Sequence, residues 1–324
     1  MTAVPGYIRM LERRELEGRV DLLEEMLREC RLCVRSCGVD RLSGEKGFCG
    51  AGADLEVASS CVHTGEEPVL TGKTGVGNVF PGRCNMRCVF CQNHSISQPA
   101  LDSRPDWLTT PEEMAEELLR FQKQGCPTAG FVSPTHYAPR IFRAVAIAAR
   151  KGFRLPVIYN TNGYDSPELL RLLEGMVDIY MPDFKYWDSE MAVRYSEAPR
   201  YREAAMKGVR EMHRQVGDLR LNEEGTAEKG LLVRLLVLPG GVSGTERTLN
   251  FLAEELGTGV FISLMSQYYP AHRAGRFPPL HRRLKPEEYA SAVRVMEELG
   301  FVNGWVQDPV TSPDAYRPGV DFDI

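Results

Sequence analysis

The run Arg83-Cys84-Asn85-Met86-Arg87-Cys88-Val89-Phe90-Cys91-Gln92-Asn93 sets three thiols in one loop at the spacing C-x3-C-x2-C, with an aromatic side chain directly before the third. Iron-sulfur clusters are usually held by four cysteines. A three-cysteine loop therefore leaves one iron open to a substrate or a chelating small molecule, which points to chemistry rather than to a closed structural site. The alternative reading of the same residues is a zinc knuckle completed by His94, since tetrahedral zinc takes mixed Cys and His ligands.

Working outward, the chain alternates short apolar runs with helical patterns, the sign of a parallel sheet built from βα units. The predicted strands are Val76–Phe80, Ala129–Ser133, Leu155–Asn160, Val177–Met181, Leu231–Leu238 and Val260–Met265. Helix starts are marked at Thr110-Pro111-Glu112-Glu113, Ser166-Pro167-Glu168 and Lys285-Pro286-Glu287-Glu288, where Pro suits the first helical position and acids suit the helix N-terminus. The cysteine loop follows the first of these strands. In barrel folds the loops at the strand C-terminal ends carry the chemistry.

Upstream, Leu11, Leu16, Val20, Leu23 and Leu27 predict one amphipathic helix over about residues 7 to 29. Then Cys30-x2-Cys33-x3-Cys37-x11-Cys49 supplies four thiols, enough for a full coordination shell, either of zinc or of an auxiliary iron-sulfur cluster. Cys61 and His63 either contribute to it or only pack, and Cys126 reads as a buried thiol. The expected organisation is an N-terminal helix and cysteine-rich module over 1–70, a barrel over 71–307 and an extended tail over 308–324 containing Pro309, Pro313 and Pro318. Gly72-Lys73-Thr74 echoes a phosphate-binding loop, but Glu67 stands where that loop needs a glycine.

Nine cysteines, seven of them in two tight sets, argue for metal ligation in a reducing compartment over a disulfide framework, so a cytoplasmic protein is expected. No run approaches the ~20 apolar residues of a spanning helix, and no membrane is expected as a partner. A net charge of −5 gives no broad basic field for nucleic acid.

The cysteine spacing, the aromatic before the third thiol and the βα pattern resemble the radical SAM superfamily, whose fold is a partial (β/α)6 TIM-type barrel. The resemblance implies a [4Fe-4S] cluster on Cys84, Cys88 and Cys91, S-adenosyl-L-methionine on its fourth iron, and Phe90 near the adenine. It further implies reductive cleavage to a 5′-deoxyadenosyl radical, with an electron donor such as flavodoxin or ferredoxin. Thr161-Asn162-Gly163, Asp183-Phe184-Lys185 and Arg234 before Pro239-Gly240 are similar to strand ends of the pyruvate formate-lyase activating branch.

Each such residue has a plain alternative. Ser133 and Thr135 would accept from the SAM ammonium, or only form a turn, since Val132-Ser133-Pro134-Thr135 departs from the superfamily's glycine-rich segment. Asn160 and Asn162 would line the SAM pocket, or make an Asn-Gly turn. Asp183 and Lys185, two apart, project to one side of a strand. Arg234, in an apolar run, needs an anion, which is either the SAM carboxylate or a buried Asp. His136, Gln267, Tyr268 and His272 are substrate-side candidates. The expected substrate is a glycyl-radical enzyme or another peptide, alternatively a small metabolite. The non-enzyme alternative is a zinc-stabilised binding protein.

Overall fold

The computed structural model describes residues 3–98 and 104–308. The tail expected over 308–324 lies, apart from Asp308, outside the described residues.

Among the described residues ten strands form one sheet: β1 (Leu55–His63), β2 (Val76–Pro81), β3 (Leu108–Thr109), β4 (Ala129–Val132), β5 (Val157–Thr161), β6 (Ile179–Pro182), β7 (Arg220–Leu221), β8 (Ala227–Leu236), β9 (Phe261–Met265) and β10 (Gly304–Val306). Their order is β10-β9-β8-β6-β5-β4-β2-β1-β3, with β7 beside β8. Every pairing from β2 through β10 along that path is parallel, whereas β1 runs antiparallel to β2 and β3 antiparallel to β1. The two ends do not pair with each other, so the α/β sheet is an open, mostly parallel partial barrel.

The six predicted strands correspond to β2, β4, β5, β6, β8 and β9. They were visible because parallel strands covered on both faces read as continuous apolar runs. All of β2, β5 and β6 is buried. The crossover helices start where their signals stand. Thr110 Oγ1 accepts from the Glu113 amide at 3.2 Å while Glu113 accepts from the Thr110 amide at 2.8 Å, a reciprocal cap whose loss typically costs about 1 kcal/mol. Ser166 caps helix Pro167–Leu172 one way only, its hydroxyl accepting from the Leu169 amide.

The single helix expected over 7–29 is two, Gly6–Glu12 and Leu16–Glu25, broken at Arg14, whose φ is +61°. The apolar spacing carries the reason: Leu11 to Leu16 is five residues, which slips the stripe off one face. The second helix lies on helix Ala138–Arg150, where Arg140 and Arg143 bond Glu24 at 2.6 and 2.7 Å. Beyond it, Arg83 on the cysteine loop pairs with Glu56 of β1 at 2.7 Å, both nearly fully buried. Removing either partner would strand a buried charge, a change that typically costs about 3–5 kcal/mol.

Candidate active site

The cysteine loop leaves the C-terminal end of β2 and is pinned by backbone bonds from Arg87 to Ser196 and from Val89 to Tyr195, at 3.0 and 2.9 Å. The segment after β9 closes on it from the other side through the Arg273 amide to the Val89 carbonyl. Each thiol sulfur meets a polar partner. Cys84 Sγ takes the Met86 amide at 3.4 Å and Asn162 Nδ2 at 3.5 Å, Cys88 Sγ takes the Ser196 hydroxyl at 3.0 Å, and Cys91 Sγ lies 3.2 Å from the Ser97 hydroxyl. Burial, and after it the neighbouring Cys88, pushes the Cys84 thiol up to about 12 and Cys91 up to about 11. Cys88 is likewise raised by burial. The ammonium of Lys185 opposes burial at all three. Three largely desolvated thiols that repel one another as anions need added positive charge to lose their protons.

Asn162 is held by its own turn. Its Oδ1 accepts from the Tyr164 amide and its Nδ2 donates to Asn85 Oδ1 at 2.7 Å. Gly163 completes the turn at φ +76°, where a Cβ would lie 2.6 Å from the Asp183 carbonyl oxygen. The Asn-Gly turn and a site beside the thiols are thus the same feature.

A cavity of about 180 Å³ opens beside the loop, lined by Cys88, Phe90, Cys91, Asn160, Asp183 and Lys185 among others. Ser133, Arg234, Gln267 and Tyr268 also border it. Phe90 is held edge-on between Tyr186 and Tyr268. Lys185 Nζ lies 2.6 Å from Asp183 Oδ2, and Arg234 Nε lies 3.0 Å from Asp183 Oδ1. Burial alone would raise the Asp183 carboxyl, but these two cations hold it below its usual range. Arg234 reaches a second carboxylate, Glu66, through Nη1 at 3.2 Å. The guanidinium in its apolar strand thus faces two carboxylates of the chain itself.

Other candidates lie elsewhere. Thr135 turns its hydroxyl to Asp165 at 2.7 Å, a buried carboxylate that also takes the Tyr159 and Thr161 hydroxyls. His136 is buried outside the cavity, with Nε2 on the Gly82 carbonyl at 2.8 Å, and burial lowers its pKa to about 3. Its ring borders the N-terminal thiols instead. His272 is exposed and stacks on His94 at 4.6 Å, away from the cavity lining. Cys126 is buried, as expected.

Cys30, Cys33, Cys37 and Cys49 share one closed pocket of about 20 Å³ with Arg35, Arg41, Asn85 and His136. Arg35 Nε donates to the Asn85 carbonyl at 2.7 Å, so this module sits directly on the residue after Cys84. Among the described residues, no three His, Cys, Asp or Glu side chains converge on a single ion, and this holds for both cysteine sets. Sequence reasoning missed Asn85, Ser97, Ser196, Glu66 and Glu67. These reach the site through contacts up to 168 residues apart, and local pattern gives no signal for them.

Residues 78–222 match the family model of the Radical SAM superfamily. Over these residues, just under half of the chain, the sequence is similar to that superfamily. An uncharacterised protein of Methanocaldococcus jannaschii is 29% identical over 292 residues, 88% of this chain and 79% of the relative. Among solved structures, a radical SAM methyltransferase from Sphaerobacter thermophilus is 14% identical with a TM-score of 0.48, over 72% of this chain and 66% of that one. A domain of a pyruvate-formate lyase-activating enzyme from Bacteroides vulgatus is 14% identical with a TM-score of 0.36, over 61% of this chain and 91% of that domain.

Likeness to that superfamily implies a [4Fe-4S] cluster and S-adenosylmethionine, and enzymes of that class need a reductant. The residues present fit the cluster: a buried thiol at Cys84 and half-buried ones at Cys88 and Cys91, N–H and O–H groups against their sulfurs, and a nearby ammonium that favours thiolate. No helix among the described residues is long and apolar enough to cross a membrane.

Proposed function

We propose that this chain is a radical SAM enzyme that holds a [4Fe-4S] cluster on Cys84, Cys88 and Cys91 and cleaves S-adenosylmethionine reductively. The observation that carries the reading is that Cys88 and Cys91 line one cavity with the Asp183-Lys185-Arg234 network, while Cys84 of the same loop is held by Asn162. Cluster and cofactor together supply cleavage of a carbon–sulfur bond and a 5′-deoxyadenosyl radical that takes hydrogen from a substrate. The chain's residues bind, orient and exclude water. Phe90, wedged between Tyr186 and Tyr268, presents an apolar wall suited to an adenine. Asn160 and Ser133 offer polar atoms across the cavity from Lys185. Lys185 and Arg234 are the cations available to a carboxylate, although Asp183 already engages both. The proposed electron donor is a flavodoxin or ferredoxin, and the proposed substrate a peptide, including the glycyl-radical-enzyme case.

We also propose Cys30, Cys33, Cys37 and Cys49 as a second metal site, a reading supported by the closed pocket they share. One experiment addresses both sites: anaerobic reconstitution with iron and sulfide, metal analysis, and a test for 5′-deoxyadenosine under strong reduction. Protein that holds only zinc and never releases 5′-deoxyadenosine would overturn the radical SAM activity. Protein with a full cluster at Cys84, Cys88 and Cys91 and no further metal would overturn the second site.

A further inference from the structure

The cavity beside the cysteine loop does not end at Arg234. A second compartment of about 110 Å³ continues past it into the barrel, sharing Asn160, Arg234 and Gln267 with the first. Its own walls are His63, Glu66, Glu67, Phe80, Trp305 and Gln307. Glu66 is engaged, its Oε1 accepting from Asn78 Nδ2 at 2.8 Å and its Oε2 facing Arg234. Glu67 is different. It is 2% exposed, and its Oε2 has no hydrogen-bond partner. The Ser263 hydroxyl nearby opposes the upward push of burial on that carboxyl.

One carboxyl group in the two compartments has no cation of its own. Glu66, Glu67 and Asp183 border the two compartments against Lys185 and Arg234, so carboxyl groups outnumber cations by one. His63 does not make up the difference, because burial, aided by Arg234, lowers its pKa and keeps it neutral. Burial pushes the Glu67 carboxyl up, with Arg234 opposing. A buried carboxyl with an open oxygen is costly to maintain unless a partner arrives.

We propose that this inner compartment is a substrate subsite for an alkylammonium or guanidinium group, bound by Glu67 with its stem between Phe80 and Trp305. The inference deepens the proposed function and rests on it for the chemistry on the near side of Arg234. Size and lining agree with the class. At about 30 Å³ per water, the compartment holds a group of roughly four heavy atoms, and an aromatic wall favours a cation over a neutral group. An aminoalkyl or guanidinium tip fits, whereas a nucleoside does not.

The test is calorimetric titration of the reconstituted protein, saturated with S-adenosylmethionine, with propylamine, 1-propanol and propionate. Propylammonium is expected to bind at least tenfold tighter than the alcohol and propionate more weakly than either. Glu67→Gln is expected to remove at least tenfold of the amine's affinity. Equal affinity for amine and alcohol would overturn the proposal, and so would amine binding that vanishes once S-adenosylmethionine is saturating, since the cation would then be using the cofactor's site. The three-ligand comparison on the natural chain stands even if the Glu67 variant fails to fold. Iron content and cofactor binding are measured first on the same sample. Their failure sinks the radical SAM activity, whereas cluster-loaded protein indifferent to the amine sinks only this inference.

Discussion

The two cysteine sets of this chain make an instructive pair. Both are thiols raised by burial, Cys33 and Cys84 each to about 12, and both sit on the same side of the barrel, joined through Arg35 and Asn85. Their surroundings differ. Four thiols close on a pocket of about 20 Å³ in the N-terminal segment, while two of the three in the barrel loop, Cys88 and Cys91, border an open cavity of about 180 Å³. In the barrel loop the sulfurs are touched by side chains from distant parts of the chain, Asn162 and Ser196. The N-terminal sulfurs instead take backbone amides two residues on, Arg35 for Cys33 and Ala51 for Cys49. A locally completed, closed set suits a structural or electron-carrying metal. A set with one ligand short and tertiary donors suits an exchangeable ligand.

The largest expected effect separates the two sets directly. Cys88→Ala should lose cluster iron and reduce 5′-deoxyadenosine release to background, because two thiolates cannot replace three. Cys33→Ala should lose the second metal and some thermal stability while retaining S-adenosylmethionine cleavage, if the module is structural. Cleavage lost equally in both variants would erase the distinction and make the N-terminal site an obligatory partner of the reaction. Metal analysis and product release on the two purified variants read the outcome.

The contrast also marks what the sequence could disclose. Cysteine spacing is local, so both sets were legible, as were the six strands whose two-sided burial leaves unbroken apolar runs. Asp183 does pair with Lys185, but both lie just past the end of β6 at Pro182, so the strand alternation expected of them is not what sets them side by side. Strand β1 was not legible: Leu55-Glu56-Val57-Ala58-Ser59-Ser60-Cys61 is too rich in small and polar residues to read as a buried run. His136 follows a strand end, yet its ring is committed to the Gly82 carbonyl, a rotation that position alone does not dictate. Nor does pattern reveal that Glu66, far upstream, would reach Arg234 inside the barrel.

Arg234→Ala gives the next effect in size and tests whether the network belongs to the cofactor or only to the fold. Asp183 would keep Lys185 alone, and Glu66 would face the cavity without its cation. Stranding buried charges of this kind typically costs about 3–5 kcal/mol, so the melting temperature should fall. Affinity for S-adenosylmethionine should weaken by about tenfold or more with cluster iron unchanged, since a lost charge-assisted contact is worth about 1.5–3 kcal/mol. A variant that is destabilised but binds the cofactor normally would confine Arg234 to a structural pair with Asp183 and Glu66.

The smallest effect addresses the tertiary donors themselves. Ser196 Oγ lies 3.0 Å from Cys88 Sγ and 2.6 Å from the Tyr186 hydroxyl, so it is oriented from both sides. A hydroxyl donating to a cluster sulfur favours the more negative, reduced state, and the reduction potential follows such hydrogen bonds. Ser196→Ala should therefore leave iron content intact and move the potential downward. One hydrogen bond worth about 1 kcal/mol corresponds to about 40 mV for a one-electron couple, readable in a redox titration followed by paramagnetic resonance. The matching experiment on the other set has no side-chain donor to remove at Cys33 or Cys49, whose amide partners belong to the backbone. An unchanged potential in Ser196→Ala would mean that the hydroxyl points to Tyr186 rather than to sulfur, and the barrel set would lose the feature that most distinguishes it from the N-terminal one.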